Sequence, residues 1–499
     1  MLRLEVVDDL ETLRKAALLL QAENQRLVAK NVELNRKVLE LQGLAPEQLQ
    51  LKLAELQRQL DQANRQIFGD SSERRRKKQG QNDKKPQRGH GPKPQPNLRV
   101  VEDVCDLGDV ADTCCDHCGK PVEEWPGQFE EAEEIDVIRR EFVIKRVKRK
   151  KARCECHRTI VTAPPPPKLF PGARYSIEFA ILVVVAKYVD HAPLERQVRG
   201  MARDGLDVDS QTLWDYVYAV ARLLRPAHEQ LRDYLLTKPV LGADETWWRL
   251  MTGKSKKRGG DTKRWHVWAA CADDAVYFTL EDTRGLEAAR KILETYEGVV
   301  MCDGYGVYSG LQNRGAPYQL AHCWSHIRRK LMESGASDEE LKPVLDDIDE
   351  LFAIERRCAT GPPGDELRRE LRDQLSRPII DKIKQWRLSL RVFPGSGLGN
   401  VAKHIAEHWS GLTRFLDDPR IPLSNNQTER AIRNPVIGRK NHYGSRSRRG
   451  TDAAAILYSL VESARLAGVE PSAYLRAALL AAVAEQRIPL PHEITAGQN

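Results

Sequence analysis

The chain has 499 residues, with 79 Lys+Arg against 71 Asp+Glu and a formal net charge of +8. That length accommodates about three domains, and an apolar share of 41% is enough for a real core, which excludes wholesale disorder. The purely apolar runs Phe179–Ala186 and Ala477–Ala484 fall far short of the ~20 residues of a membrane span. The charged N-terminus argues against a signal peptide, and ten unevenly placed Cys are sparse for a secreted disulfide scaffold.

Residues 1–69 carry Leu13, Leu20, Leu27, Leu34 and Leu41 at seven-residue spacing, with Leu10, Ala17, Asn24, Asn31 and Val38 three positions before each. Read as d and a positions, these predict a coiled coil, hence a homodimer or higher oligomer. The two Asn fix register at a cost in stability. Gly43 and Pro46 break the pattern, which resumes at Leu49, Leu53, Leu56, Leu60, Ala63 and Ile67. A helical hairpin folded on itself is the intramolecular alternative.

Residues 70–99 form a basic arm. Ten cations between 74 and 99, among them Arg74, Arg75, Arg76, Lys77 and Lys78, face one acid, Asp83. Residues 74–99 therefore hold +9, and the other 473 residues sum to −1. With almost nothing apolar it should stay mobile. It suits either a polyanion, each neutralised phosphate adding salt-sensitive affinity, or a solubilising linker.

In 100–163 two thiol pairs, Cys115/Cys118 and Cys154/Cys156, supply four soft ligands for a structural Zn2+. Ile135, Val137, Phe142, Ile144 and Val147 lie between them in strand-like clusters, predicting a zinc ribbon. The gap is long and the second pair is C-x-C, so Cys114, His117 and His157 are alternative ligands. Reduced, unliganded thiols are the bland reading. Residues 164–236 read as helical: an apolar helix at Tyr175–Val189, then helix, turn and helix over Pro193–Val217. Gly205 makes the turn and Ser210 the cap, a spacing that suits a helix-turn-helix or any helical hairpin.

From 237 the texture changes. Val240–Met251, Arg264–Ala272 and Ala275–Glu281 read as strands, Arg284–Tyr296 as a helix, Val299–Cys302 and Tyr318–Ala321 as strands, and His326–Leu331 as a basic helix. That order is the order of a ribonuclease-H-like sheet. Asp244 falls mid-strand and Asp303 at the end of the fourth strand, which lies beside the first in such a sheet. Neighbouring carboxylates of this kind hold divalent cations next to phosphates. A third acid, Glu429, opens a helix after Ser424-Asn-Asn-Gln-Thr. Arg430, Arg433, Arg439, Lys440, Arg446, Arg448 and Arg449 follow it, a cluster suited to clamping phosphates.

Taken together, Gly242-Ala-Asp-Glu-Thr246, Cys302-Asp-Gly-Tyr305, His322-Cys-Trp-Ser-His-Ile-Arg-Arg329, Ser424-Asn-Asn-Gln-Thr-Glu-Arg-Ala-Ile-Arg433, Val436-Ile-Gly-Arg-Lys-Asn441 and Ile456-Leu-Tyr-Ser-Leu460 resemble a bacterial insertion-sequence transposase of the IS-sixty-six family. Ile67-Phe-Gly-Asp-Ser-Ser-Glu73 and the four-Cys set resemble that family's zipper and zinc-finger segments. The resemblance implies a multidomain α+β chain: coiled coil, zinc ribbon, helical DNA-binding region and ribonuclease-H-like core. The core would span 237–332 with a helical insertion at 333–415, then a catalytic-Glu helix and basic cluster at 416–450 and C-terminal helices at 451–499.

The same resemblance implies Asp244, Asp303 and Glu429 as catalytic acids binding two Mg2+, or Mn2+, for 3′-end cleavage and strand transfer. Double-stranded DNA, both element ends and target, would be the partner, with element-encoded helper proteins, in the bacterial cytoplasm at the nucleoid. Glu245 faces away from Asp244 and reads as structural. Cys323-x-x-His326 resembles a signature of related transposases, with His326 read as structural or DNA-contacting. The competing readings are a non-catalytic zinc and coiled-coil DNA-binding protein and a stand-alone nuclease of the same fold.

Overall fold

This computed structural model describes residues 140–153, 160–251, 262–359, 361–393 and 395–494, with a few positions before them. The heptad segment falls outside the described residues apart from a few helical positions, as do the arm cations Arg74–Lys78. So do Cys115, Cys118, Cys154 and Cys156 and their alternatives Cys114, His117 and His157. Of the expected ribbon, the described part is a short hairpin. Strands β1 (Lys151–Arg153) and β2 (Ile160–Thr162) pair antiparallel, continued by Ala163 N–H donating to Lys150 O at 2.9 Å. Phe142, Ile144 and Val147, expected in strands, lie in none. Phe142 instead meets the ring of Phe179 edge-on at 6.4 Å, and Ile144 is exposed.

Helix α1 (Ile177–Tyr188) is capped by Ser176, whose hydroxyl accepts from Phe179 N. Helices α2 (Leu194–Arg203) and α3 (Ser210–Leu223) are joined by a turn at Gly205, whose φ of +85° favours glycine. The cap of α3 is Asp209, one residue before the expected Ser210. The Asp209 carboxylate accepts from Thr212 N at 2.6 Å, and the Ser210 hydroxyl donates to Glu195 instead. Helix α4 (Arg225–Leu236) leads into the sheet.

Five strands form that sheet: β3 (Val240–Met251), β4 (Thr262–Cys271), β5 (Val276–Glu281), β6 (Val299–Cys302) and β7 (Gln319–His322), ordered β5-β4-β3-β6-β7. β3 is central. It pairs antiparallel with β4, Gly242 opposite Cys271, and parallel with β6, Gly242 opposite Met301. Helix α5 (Leu286–Leu293) connects β5 to β6, and α6 (Gly306–Gln312) connects β6 to β7. The antiparallel hairpins and parallel crossovers make a mixed α/β sheet.

After β7 comes α7 (Trp324–Glu333), then a helical layer of α8 (Asp338–Glu355), α9 (Asp365–Leu371), a π turn (Arg372–Ser376), α10 (Arg377–Ser389), α11 (Gly397–Glu407) and α12 (Trp409–Thr413). Its own apolar core includes Trp324, Ile348, Ile383, Leu398 and Leu412. Arg372 is buried inside it, paired with Glu355 at 2.8 Å and donating to the carbonyls of Phe415, Asp418 and Ile421. Removing one partner of such a pair strands the other charge. Arg372→Ala is therefore expected to cost about 3–5 kcal/mol in urea unfolding, and Arg372→Ala with Glu355→Ala distinctly less.

Helices α13 (Asn426–His442), α14 (Arg448–Leu466) and α15 (Pro471–Val483) close the chain. Helix α14 is buried nearly all round over its apolar middle, Ala453–Val461. Its Ser459 and Ser463 hydroxyls accept from Phe278 N and Val276 N of edge strand β5. Two edge donors that would otherwise invite another strand are thereby satisfied. No helix among the described residues is long and apolar enough to cross a membrane.

Candidate active site

The central strand positions the first acid. Continuing the β3–β6 register two residues past Gly242 and Met301 sets Asp244 beside Asp303. Asp303 follows β6 in a tight corner: its Oδ1 accepts from Tyr305 N at 2.8 Å, and Gly304 has φ +90°. The third acid arrives on α13, whose first turn packs on β3. A Cβ at Gly242 would lie 2.6 Å from Asn425 Oδ1 and closer still to Thr428 Oγ1, so only glycine lets the helix approach. Asn425 stands at the N-cap of α13 and makes no side-chain cap bond. Its amide donates to Ala243 O at 2.9 Å, tying the helix to the strand one residue before Asp244.

Asp303 and Glu429 both lie close enough to Asp244 for their charges to reach it. Burial pushes the Asp244 carboxyl up to about 7, and the charges of Glu245, Asp303 and Glu429 add to the rise. One backbone donor, Glu245 N at 2.8 Å, opposes it. Glu429 Oε1 is buried without a hydrogen-bond partner among the described residues and faces His326 Nδ1, equally unpartnered, at 3.6 Å. Arg329 lies 3.9 Å from the other oxygen. Cys323, His326 and Glu429 also offer ligand atoms all within 4.8 Å of one another. An orphaned carboxylate oxygen and a carboxyl raised by burial and further by its acidic neighbours are what a site built for a cation presents in its absence.

Glu245 is engaged elsewhere. Its side chain is nearly buried, accepting from Arg284 at 2.6 Å and from the Tyr308 hydroxyl at 2.9 Å. Of the basic residues following Glu429, Arg430, Arg433 and Lys440 are exposed, at spacings that put them on one side of α13. Arg439 is buried. Its guanidinium lies 3.7 Å from the Trp247 ring and donates to Trp247 O, so it braces β3. His326 is turned to Glu429.

Sequence reasoning passed over two further histidines. His404 and His408 stand one turn apart on α11 and just after it, an i, i+4 pair that could have drawn notice. Their rings pack at the Asp303 corner, where a Cβ on Gly304 would lie 3.1 Å from His408 Nε2. His322 completes the group, its ring centroid 4.5 Å from that of His408. Burial and the neighbouring histidines hold His322 down at about 3, and burial with His408 holds His404 at about 4. His322 and His404 are therefore neutral near pH 7.

A sequence model described as the Transposase IS66 family matches residues 172–453, a span that contains all three acids. The chain belongs to this family. Among curated proteins it is similar to three uncharacterized proteins of Sinorhizobium fredii. Protein y4jD is 30% identical, over 69% of this chain and 70% of the relative. Protein y4hP is 27% identical over 77% and 72%, and y4qI is 28% identical over 69% and 66%.

Proposed function

We propose that the chain is a DNA transposase of the Asp-Asp-Glu type, with Asp244, Asp303 and Glu429 as its catalytic acids. The observation that carries this reading is geometric: the β3–β6 register runs Asp303 alongside Asp244, and the close packing of α13 on Gly242 and Ala243 brings Glu429 to the same strand. The sheet order β5-β4-β3-β6-β7 supports a ribonuclease-H-like core, and family membership supports a transposition role. The three carboxylates would hold Mg2+ or Mn2+, which when bound supplies Lewis-acid activation of water and neutralises charge at the phosphodiester.

The protein's part is to gather and orient. Asn425 and Gly242 keep Glu429 against β3, while the Tyr305 N–H orients Asp303. Arg430, Arg433 and Lys440 present exposed cations to phosphates along α13. Hydrolysis breaks the P–O3′ bond at the element end, leaving a 3′-hydroxyl and a 5′-phosphate. In joining, that 3′ oxygen bonds to a target phosphorus as the target's own 3′ oxygen departs. The zinc ribbon at Cys115, Cys118, Cys154 and Cys156, the basic arm Arg74–Lys78 and a zipper-mediated oligomer extend the same proposal.

The test is a cleavage and joining assay on the DNA flanking the protein's own gene, with Mg2+. Cleaved 3′ ends that become covalently joined to a second DNA are the expected result. Cleavage without joining would favour a stand-alone nuclease, and DNA binding without cleavage a non-catalytic binder.

A further inference from the structure

A cavity of about 370 Å³ opens between α1, α2, α3, the end of β3 and the start of α14, away from the three acids. It falls within the ~300–1,000 Å³ range of small-ligand sites. Three helix N-termini meet at it: Leu194 opens α2, Ser210 opens α3, and Ser447 caps α14. Each carries partial positive charge from its aligned peptide dipoles.

Lys187 and Arg446 stand on the same wall, and neither has a carboxylate partner among the described residues. Burial and Arg446 together push the Lys187 ammonium down to about 8. The cavity's acid, Glu195, is occupied by the Ser210 hydroxyl at 2.7 Å. His442, held down at about 3 by burial and by Lys187, faces Gly444 O and the Tyr458 hydroxyl. Glu195 offsets one of the two cations, Lys187 and Arg446, and the second leaves the lining with an excess of positive charge that suits an anion.

A bare anion leaves the rest of the wall unexplained. Trp214 lines the cavity with Tyr218 stacked behind it, 6.0 Å between centroids and 27° between planes. Trp248, fixed by its indole N–H to Ser445 Oγ at 3.1 Å, lines the floor. Flat aromatic surface beside unpaired cations is the combination that holds an unstacked base and its phosphate.

We propose that this cavity receives an unpaired nucleotide of a DNA strand, its phosphate against Lys187 and Arg446 and its base against Trp214. The inference rests on the DNA-transposase reading above. Asp244 and Trp248 lie four residues apart on one face of β3, roughly 13 Å at ~3.3 Å per residue. At ~3.4 Å per nucleotide, a strand cut at Asp244 reaches the cavity within about four nucleotides.

The test uses full-length protein with a blunt duplex and with the same duplex carrying a short single-stranded tail that contains 2-aminopurine. Wild-type protein should prefer the tailed duplex and quench the 2-aminopurine at one tail position. Lys187→Gln with Arg446→Gln should weaken tailed-duplex binding about tenfold, leave blunt-duplex binding within about twofold, and abolish the quenching. Trp214→Leu should lose the quenching alone. Equal loss on both duplexes, or loss on neither, overturns the proposal. Asp244→Asn separates the two readings, because it should lose cleavage yet keep the tail preference. Tail preference with no cleavage by wild-type protein would sink the transposase chemistry and leave the cavity intact.

Discussion

Replacing Asp244 with Asn is expected to lower Mg2+-dependent strand cleavage by at least about a thousandfold, while stabilising the metal-free protein at pH 8. The first effect follows from losing a carboxylate that both neighbouring acids converge on. The second follows from linkage. The Asp244 carboxyl ordinarily titrates near 3.8 and stands at about 7 in the fold. Between those values the folded state keeps a proton that the unfolded state has released. Stability contributed by this group is therefore fully present below about pH 4 and lost as pH rises through about 7. Roughly three pKa units at ~1.36 kcal/mol each set an upper figure of about 4 kcal/mol. Asn keeps the shape and still accepts from Glu245 N, so it removes the penalty without removing the packing. Thermal melts from pH 5 to 8 should fall for wild-type protein and flatten for Asp244→Asn. Adding Mg2+ at pH 8 should raise the wild-type Tm and leave the variant's unchanged. A variant that still cleaves, or still responds to Mg2+, would remove Asp244 from the site.

Much of the sheet was legible in the residues, for local reasons. Val240–Met251 and Val299–Cys302 occupy the limits read from their apolar runs, because Lys238-Pro239 and Asp303-Gly304 bound them sharply. The helix expected over Arg284–Tyr296 is shorter, Leu286–Leu293, since Gly285 starts it and the chain must turn into β6. Asp244 alone means little in the sequence; the acids stand out as a set, with Asp303 ending the neighbouring strand and Glu429 opening a run of cations.

What stayed hidden depends on partners far along the chain. Arg439 belongs to a basic run that sequence reads as a phosphate clamp. Its burial is set by Trp247, which nothing in that run announces. Nothing around Asn425 announces that its amide reaches Ala243 O, 182 residues earlier in the chain. Glu245 was read as structural from strand alternation alone, and the Arg284 and Tyr308 contacts agree, though neither partner was foreseeable. In sequence His326 reads as structural or DNA-contacting, and only the meeting of α7 with α13 turns it to Glu429.

Gly242→Ala should show how far catalysis depends on that helix approach. The added methyl would sit 2.6 Å from Asn425 Oδ1 and nearer to Thr428 Oγ1, at the contact that seats α13 on β3. Thr428 and Asn425 are both buried, so neither can swing into solvent. The helix start must shift, and Glu429, one residue past Thr428, shifts with it. Overpacking of this kind costs about 1–3 kcal/mol. The expected loss of cleavage is much larger in proportion, on the order of a hundredfold, because a displacement near 1 Å is enough to spoil alignment at the reacting centre. Adding Thr428→Ala removes the nearer obstacle and should restore part of the activity, leaving the Asn425 contact to account for the remainder. Thermal melting and cleavage rates measured on the same preparations separate the two effects. If Gly242→Ala melts normally and cleaves at the wild-type rate, Glu429 does not owe its position to this contact. If both fall and Thr428→Ala restores neither, the damage lies in β3 itself.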